Sequence, residues 1–279
     1  MKRRLRALTV VFASGIALVL AAHIAYADAM EEVTVAHRGA SNSKLGEGTL
    51  PAYKYAVKNR GDILDADVHW TKDGPDGDSV GTMVILHDAR LDRVTNCSGN
   101  VSLWLWSAIR DKCRTDIGKQ PLMRLVDLLQ YGNSVGKAFA VEIKVSRISD
   151  AQAKQLWNGI KNSRVQLQAT SGHLDALNKI KRLDAADPNH KISYALITTG
   201  TGGWPSVSAI MKVGTAVHAK LTIPAQVARS YRLAGIKVFL FTGRNASDDE
   251  KMIALQPYGV VVDDVGRFQD WRDVSTGTA

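Results

Sequence analysis

Short apolar, β-branched runs alternate along this chain with stretches whose apolar residues recur at helical spacing. The extended runs are residues 33–36, 63–68, 83–86, 138–143, 165–169, 192–197, 215–219, 237–241 and 259–262. Helical spacing is found at 50–58, 122–131, 150–161, 174–183, 207–211, 224–233 and 248–255. Ser149-Asp150 and Ser247-Asp248 offer N-caps, and Pro224 fits a first helical turn, where its missing N–H costs nothing. Alternation of this kind predicts an α/β fold, a parallel sheet covered by helices. Nine runs are one more than an eight-stranded barrel needs. Only 63–68 and 83–86 lack room for a crossover helix, and their connection holds Thr71, Lys72, Asp73, Gly74, Pro75, Asp76, Gly77 and Asp78. Those turn formers predict an extended hairpin loop. The expected architecture is therefore a (β/α)8 TIM barrel with one extra hairpin arm, which folds His87 back beside Asp67. Segment 89–120 has no clear period and holds Cys97, Cys113, Trp104 and Trp106, so it is expected as an excursion over the barrel mouth.

The N-terminus changes the compartment. Lys2, Arg3, Arg4 and Arg6 precede an apolar core at 8–22, and Ala25-Tyr26-Ala27 places small residues where a signal peptidase cuts. The core is short for a span of about 20 residues, so residues 1–27 are expected as a cleaved secretory signal and the mature protein as extracellular. Removing 27 of the 279 residues leaves 252, a single domain of 28–279 close to the usual ~250 of such a barrel. The signal takes with it four basic and no acidic residues, so the formal +9 falls to +5. That excess favours anionic substrates. No Lys/Arg run is dense enough for nucleic acid, and no aromatics interleave the basic residues. In an oxidising compartment, Cys97 and Cys113 are expected to pair as a disulfide that staples the excursion.

Several chemistry-bearing residues end these apolar runs. His37-Arg38-Gly39 follows 33–36, Asp65 and Asp67 lie in 63–68, His87 follows 83–86, and Glu142 and Lys144 close 138–143. Cleaving a phosphodiester requires neutralising its oxygens, protonating the leaving oxygen and activating the attacking one. Asp65, Asp67 and Glu142 are oxygen ligands suited to a hard cation. Positions 65 and 67 share a strand face, as do 142 and 144, which lets Lys144 hold a phosphate oxygen. Imidazole is the side chain suited to both acid and base work near neutrality, which makes His37 and His87 the candidate pair. Spacing alone leaves Arg38 open, and it leaves Glu142 open to a purely structural pairing with Lys144. His69, close to Asp67, is the spare candidate.

The residues carry a family resemblance. Ala36-His37-Arg38-Gly39, Leu64-Asp65-Ala66-Asp67-Val68 with Thr71-Lys72-Asp73-Gly74, Ile85-Leu86-His87-Asp88 with Leu91, Arg93-Val94-Thr95 and Gly99, and Glu142-Ile143-Lys144 resemble the motifs of glycerophosphodiester phosphodiesterases, in the phosphatidylinositol-phospholipase-C-like superfamily. The likeness is dense over 33–145 and thin afterwards. It implies a (β/α)8 barrel holding one divalent cation, Ca²⁺ or Mg²⁺, on Asp65, Asp67 and Glu142. It implies acid–base roles for His37 and His87, phosphate binding by Arg38 and Lys144, and a place near the site for Glu47, as a further ligand or a partner of one. The chain departs from the pattern in three places: Asp65 stands where Glu is usual, Gly46-Glu47-Gly48-Thr49 replaces Pro-Glu-Asn-Thr, and the 71–82 loop is long. The expected protein is a secreted, monomeric phosphodiesterase with a small or lipid-derived phosphodiester substrate and transient contact with membrane surfaces. Two rivals are a phospholipase-D-like enzyme acting on lysophospholipid or sphingomyelin, with residues 103–106 lining an apolar trough, and a catalytically silent binding barrel.

Overall fold

The computed structural model describes residues 32–41, 44–73, 80–187 and 192–277; the expected signal segment and the centre of the 71–82 loop lie outside the described residues. The strands are β1 (Val33–Ala36), β2 (Ile63–Trp70), β3 (Met83–Ile85), β4 (Ala138–Ile143), β5 (Leu167–Ser171), β6 (Ile192–Thr198), β7 (Ala216–Lys220), β8 (Lys237–Gly243) and β9 (Gly259–Val262). Neighbours run in the order β1-β9-β8-β7-β6-β5-β4-β2-β3, and β1 also pairs with β2. Eight parallel strands thus close on themselves as a TIM barrel. β3 runs antiparallel along the far half of β2, with Val68 opposite Ile85. It occupies the edge that the short β1 leaves free, because β1 reaches only as far as Leu64. The expected hairpin arm is therefore present, and it delivers His87 to the end of the barrel where β1 stops.

The helices are α1 (Leu50–Lys58), α2 (Trp106–Lys112), α3 (Leu125–Val135), α4 (Asp150–Lys161), α5 (Leu174–Ala185), α6 (Val207–Val213), α7 (Ala225–Leu233), α8 (Ala246–Ala254) and α9 (Val265–Thr276). Ser149 caps α4 with a full capping box. Three of the helix boundaries that differ from the sequence expectation have a visible cause. α3 starts at Leu125 and not at 122, because residues 123–124 run extended beside β3: Ile85 N donates to Met123 O at 2.9 Å, and Val84 bridges Arg124. α8 is capped by Asn245, whose Oδ1 accepts from Asp248 N at 3.0 Å, so Ser247 lies inside the helix. Pro224 is the N-cap of α7, one position before its first turn. Among the described residues, no helix is long and apolar enough to cross a membrane.

Two apolar layers flank the strands. Outward residues such as Leu64, Val68, Phe139 and Val238 pack with Leu128, Leu156, Ile180, Tyr231 and Phe268 of the helices. Inward residues Val35, Ala195, Ala216, Phe239 and Val261 fill the barrel. Gly259 makes room for Phe239: a Cβ there would stand 2.7 Å from its ring. Among these apolar side chains lies one polar pair, His218 and Gln168, 2.7 Å apart and buried.

The excursion has a small core of its own, formed by Leu86, Leu91, Val101, Trp106, Ile109 and Leu122 around the Cys97–Cys113 disulfide. Residues 103–106 do not share one trough. Trp106 is buried and Trp104 packs at the edge of the cluster, while Leu103 is 75% exposed and Leu105 42%. Closing a loop of this size stabilises a domain by about 3 kcal/mol in the chain-entropy model. The Cys97→Ser/Cys113→Ser protein is expected to lose up to that amount in urea unfolding. Addition of dithiothreitol should reproduce the loss in the parent protein and leave the variant unchanged.

Candidate active site

The site is built where β1 ends. Backbone N–H of His37 still donates to Val262 O at 3.0 Å, and the chain then turns through Arg38 at φ +54° and Gly39 at φ +88°. Glycine suits the second position, since a Cβ there would meet the Tyr53 ring at 3.0 Å in a backbone conformation that disfavours side chains. The turn sends two side chains to different tasks. His37 continues the inward face of Val35, and its Nδ1 lies 2.5 Å from Asp263 Oδ1, at the first residue after β9. Ser41 Oγ donates to the same oxygen at 2.8 Å. Burial pushes the Asp263 carboxyl up, but His37, Ser41 and Arg244 together hold it below the usual range. Arg38 swings over the carboxylates. Its backbone N–H donates to Asp65 Oδ2 at 3.1 Å, and its guanidinium lies 3.0 Å from Glu47 Oε2 and 3.4 Å from Asp67 Oδ2.

Asp65 and Asp67 project from the inward face of β2, and Glu142 stands in register with Asp67 on β4. Lys144 Nζ is 2.9 Å from Glu142 Oε1 and 3.6 Å from Asp67 Oδ1. Burial and the neighbouring Asp67 charge push Asp65 up to about 6 and Glu142 up to about 8. Burial also pushes Asp67 up, but Lys144 and Arg38 outweigh it and hold Asp67 low. Burial thus makes it costly for all three carboxyls to carry charge together, and a divalent cation would offset that cost. Among the described residues, no three His, Cys, Asp or Glu side chains are gathered into a cage. The donor chemistry fits a hard divalent ion on Asp65, Asp67 and Glu142. Glu47 stands apart from that set, engaged by two arginines.

Opposite His37, the hairpin brings in the second imidazole. Leu86 N donates to Asp67 O at 3.0 Å, and His87 Nδ1 lies 2.6 Å from Asp88 Oδ1. Burial keeps His87 below its ordinary value, although Asp67 and Asp88 oppose that shift. Arg93 binds Asp88 through Nε and Glu47 through both terminal nitrogens, at 2.5 and 3.0 Å. A chain of charge-assisted contacts thus runs Arg38, Glu47, Arg93, Asp88, His87. Burial pushes Glu47 up, but Arg93 and Arg38 outweigh it and keep the carboxylate charged. His69 does not face the cleft: it is buried, and its Nε2–H donates to His87 O at 3.2 Å. A shallow cleft with roughly 240 Å³ of open space is lined by Arg38, Glu47, Asp67, Leu86, His87 and Leu122.

All the residues singled out in the sequence lie at this end of the barrel. Sequence reasoning gave no role to Asp263, Asp88, Arg93 or Ser41. The signal for two of them was available: Asp263 is the first polar residue after the last apolar run, and Asp88 directly follows His87.

Comparison with known proteins agrees with this arrangement. The model of the glycerophosphoryl diester phosphodiesterase family matches residues 37–267. A glycerophosphodiester phosphodiesterase of Caldanaerobacter subterraneus is 26% identical over 247 residues, 84% of this chain and 95% of that protein. One from Bacillus subtilis is 37% identical over 87 residues, in which match the chain spans only 24% of that protein's length and 31% of its own. In fold, the chain is similar to an Oleispira antarctica phosphodiesterase solved with the product sn-glycerol-3-phosphate, at a TM-score of 0.74 and 18% identity over 88% of this chain and 97% of that one. With its motifs, its closed barrel and a family match running from the first site histidine past the last strand, the chain belongs to the glycerophosphoryl diester phosphodiesterase family and is a phosphoric diester hydrolase.

Proposed function

We propose that this protein is exported and hydrolyses glycerophosphodiesters to an alcohol and glycerol phosphate, with His37 and His87 as acid and base and one divalent cation at the carboxylates. One observation carries the reading: two imidazoles lie near enough to one carboxylate, Asp67, to lower its pKa, and each has its Nδ1 held by a carboxylate of its own, Asp263 for His37 and Asp88 for His87. A carboxylate at Nδ1 fixes the tautomer and leaves Nε2 to take or give a proton. Arg38 and Lys144 suit the phosphate oxygens. One imidazole takes the proton of the attacking hydroxyl, supplied by water or by the substrate's own glycerol 2-hydroxyl. The other gives a proton to the departing alkoxide. A cation on Asp65, Asp67 and Glu142 would supply neutralisation of the non-bridging oxygens. Because Asp65 is one methylene shorter than the usual glutamate, its reach to such an ion is shorter. Export is read from the basic, apolar and small-residue pattern of 1–27.

Mature protein assayed on glycerophosphocholine and glycerophosphoethanolamine should release alcohol and glycerol phosphate with Ca²⁺ or Mg²⁺, and lose turnover in EDTA. Turnover of long-chain lysophospholipid alone would move the reading to a phospholipase-D-like enzyme, with the exposed Leu103 and Leu105 meeting the acyl chain. No turnover of either by folded, cation-supplied protein would overturn it.

Arg93 acts through its neighbours, holding Asp88 and Glu47 in place. Arg93→Ala is expected to lower kcat about tenfold with little change in KM, an effect of 1.4 kcal/mol on the transition state alone. Arg93→Lys should recover only part of the loss, since an ammonium cannot bridge two carboxylates as a planar fork does. Steady-state kinetics of the two variants checks both statements.

A further inference from the structure

The mouth of the barrel is electrically two-sided. Every acidic residue of the site belongs to the part built by β1, β2, β3, β4 and β9. The loops that follow β4, β5, β6, β7 and β8, residues 144–149, 172–173, 199–206, 221–224 and 244–245, contain no aspartate or glutamate. This acid-free arc and the strand ends beneath it still carry cations, and Lys220 and Arg244 are among those not used by the chemistry proposed above.

The first is Lys220, the last residue of β7. In the ring of eight, β7 lies diametrically opposite β2, so Lys220 faces the strand that carries Asp65 and Asp67. Its direction follows from pairing. His218 points into the barrel, where it contacts Gln168 and stacks on Phe239. Lys220 is still in register with Phe241, so the alternation holds and it shares the inward face at the mouth. It is exposed, and among the described residues no carboxylate pairs with it. The second is Arg244, directly after the adjacent β8. Its Nε is 3.7 Å from Asp263 Oδ2, which ties it to the His37 side of the cleft. Its side chain is 70% exposed, which leaves the rest of the guanidinium open to solvent.

A phosphate held by Arg38 and Lys144 leaves the two ends of a diester to extend across the mouth. The glycerol end carries only hydroxyls and has no use for a pair of cations. We propose that Lys220 and Arg244 receive an anionic group on the alcohol end of the diester, a phosphomonoester or a carboxylate. The enzyme then selects anionic alcohols over neutral ones and disfavours cationic choline, which this arc repels. The inference rests on the diesterase reading above and narrows its substrate class.

The test compares glycerophosphoglycerol with the same molecule bearing one terminal phosphomonoester, and with the analogue whose terminal alcohol is glycerate. Wild-type protein is expected to favour the phosphorylated diester by about tenfold or more in kcat/KM at low salt, with the preference shrinking in 0.5 M salt, a concentration at which the screening length is on the order of 4 Å. Lys220→Glu should abolish or invert the preference, and Lys220→Gln should reduce it. The glycerate arm tells the sources apart: an equal preference means that charge alone is read, and none means that a phosphate is. Turnover of neutral glycerophosphoglycerol is the control for the parent reading. Equal kcat/KM for neutral and anionic diesters in wild type overturns the inference while leaving the diesterase intact. So does an unchanged preference in Lys220→Glu. Failure to cleave any of the three overturns both.

Discussion

Replacing His87 with alanine should lower kcat about 10²–10⁴-fold on glycerophosphocholine, and replacing His37 should do the same. The two imidazoles serve one transition state, so the double variant should be scarcely slower than either single one. The hydrogen-bond partners sharpen the expectation. In Asp263→Asn, the amide NH₂ would donate to His37 Nδ1 and leave the proton on Nε2, the wrong tautomer for a base. That variant should approach His37→Ala in kcat although it keeps the size and shape of the side chain. Asp88→Asn should act on His87 in the same way, since its carboxylate holds His87 Nδ1 as Asp263 holds that of His37. Steady-state kinetics, with circular dichroism to show that each variant is folded, decides the matter. Near-normal turnover by either histidine variant would sink the two-histidine mechanism.

The sequence made most of the barrel legible, and the late strand ends share a cause. β1, β4 and β9 begin and end as their apolar runs do. β2, β5, β6, β7 and β8 each continue one or two residues further than the apolar pattern, through His69-Trp70, Thr170-Ser171, Thr198, Lys220 and Thr242-Gly243. These are C-terminal ends at the barrel mouth, where the apolar alternation gives way to mostly polar or small residues although the backbone pairing goes on. Hydrophobic periodicity therefore stops short where the chemistry begins. Ser171 illustrates the compensation: it is fully buried, and its hydroxyl donates to Ile143 O at 2.7 Å. α9 was missed for another reason. Its apolar residues Val265, Phe268, Trp271 and Val274 recur every three positions, which drifts off a 3.6-residue face. In the site, residues next to apolar runs were found and their long-range partners were not. Asp263 is 226 residues from His37, and Arg93 is 46 from Glu47. No local pattern encodes either contact; closure of the barrel makes the first and the hairpin makes the second.

A large acid-side loss of stability should come from beneath the site, from His218. Its ring is buried in the barrel, stacks on Phe239 at 4.6 Å, and donates from Nε2 to Gln168 Oε1. Among the described residues no acidic side chain bears on it, and burial drives its pKa down to about 3. The unfolded chain would protonate the same residue near 6.5. Between those values the unfolded state binds a proton that the folded state refuses. Stability from this residue is thus fully present above about pH 6.5 and is lost as pH falls, at about 1.4 kcal/mol per unit. At pH 4 the loss should amount to roughly 3 kcal/mol. Urea unfolding at pH 7 and pH 4 measures it, with His218→Gln as the comparison. Glutamine can keep a hydrogen bond to Gln168 and cannot titrate. Asp88 and Asp263, held low in the folded state, lose stability near the bottom of this range, while Asp65 and Glu142, held high, gain it as pH falls; both act alike in the two proteins, so the difference between the two slopes isolates the histidine. If the stability of both proteins changes equally between pH 7 and pH 4, His218 is not an acid-sensitive element. If the wild type falls relative to the variant by about that amount, the barrel interior carries an acid-sensitive term independent of the histidines that do the chemistry above it.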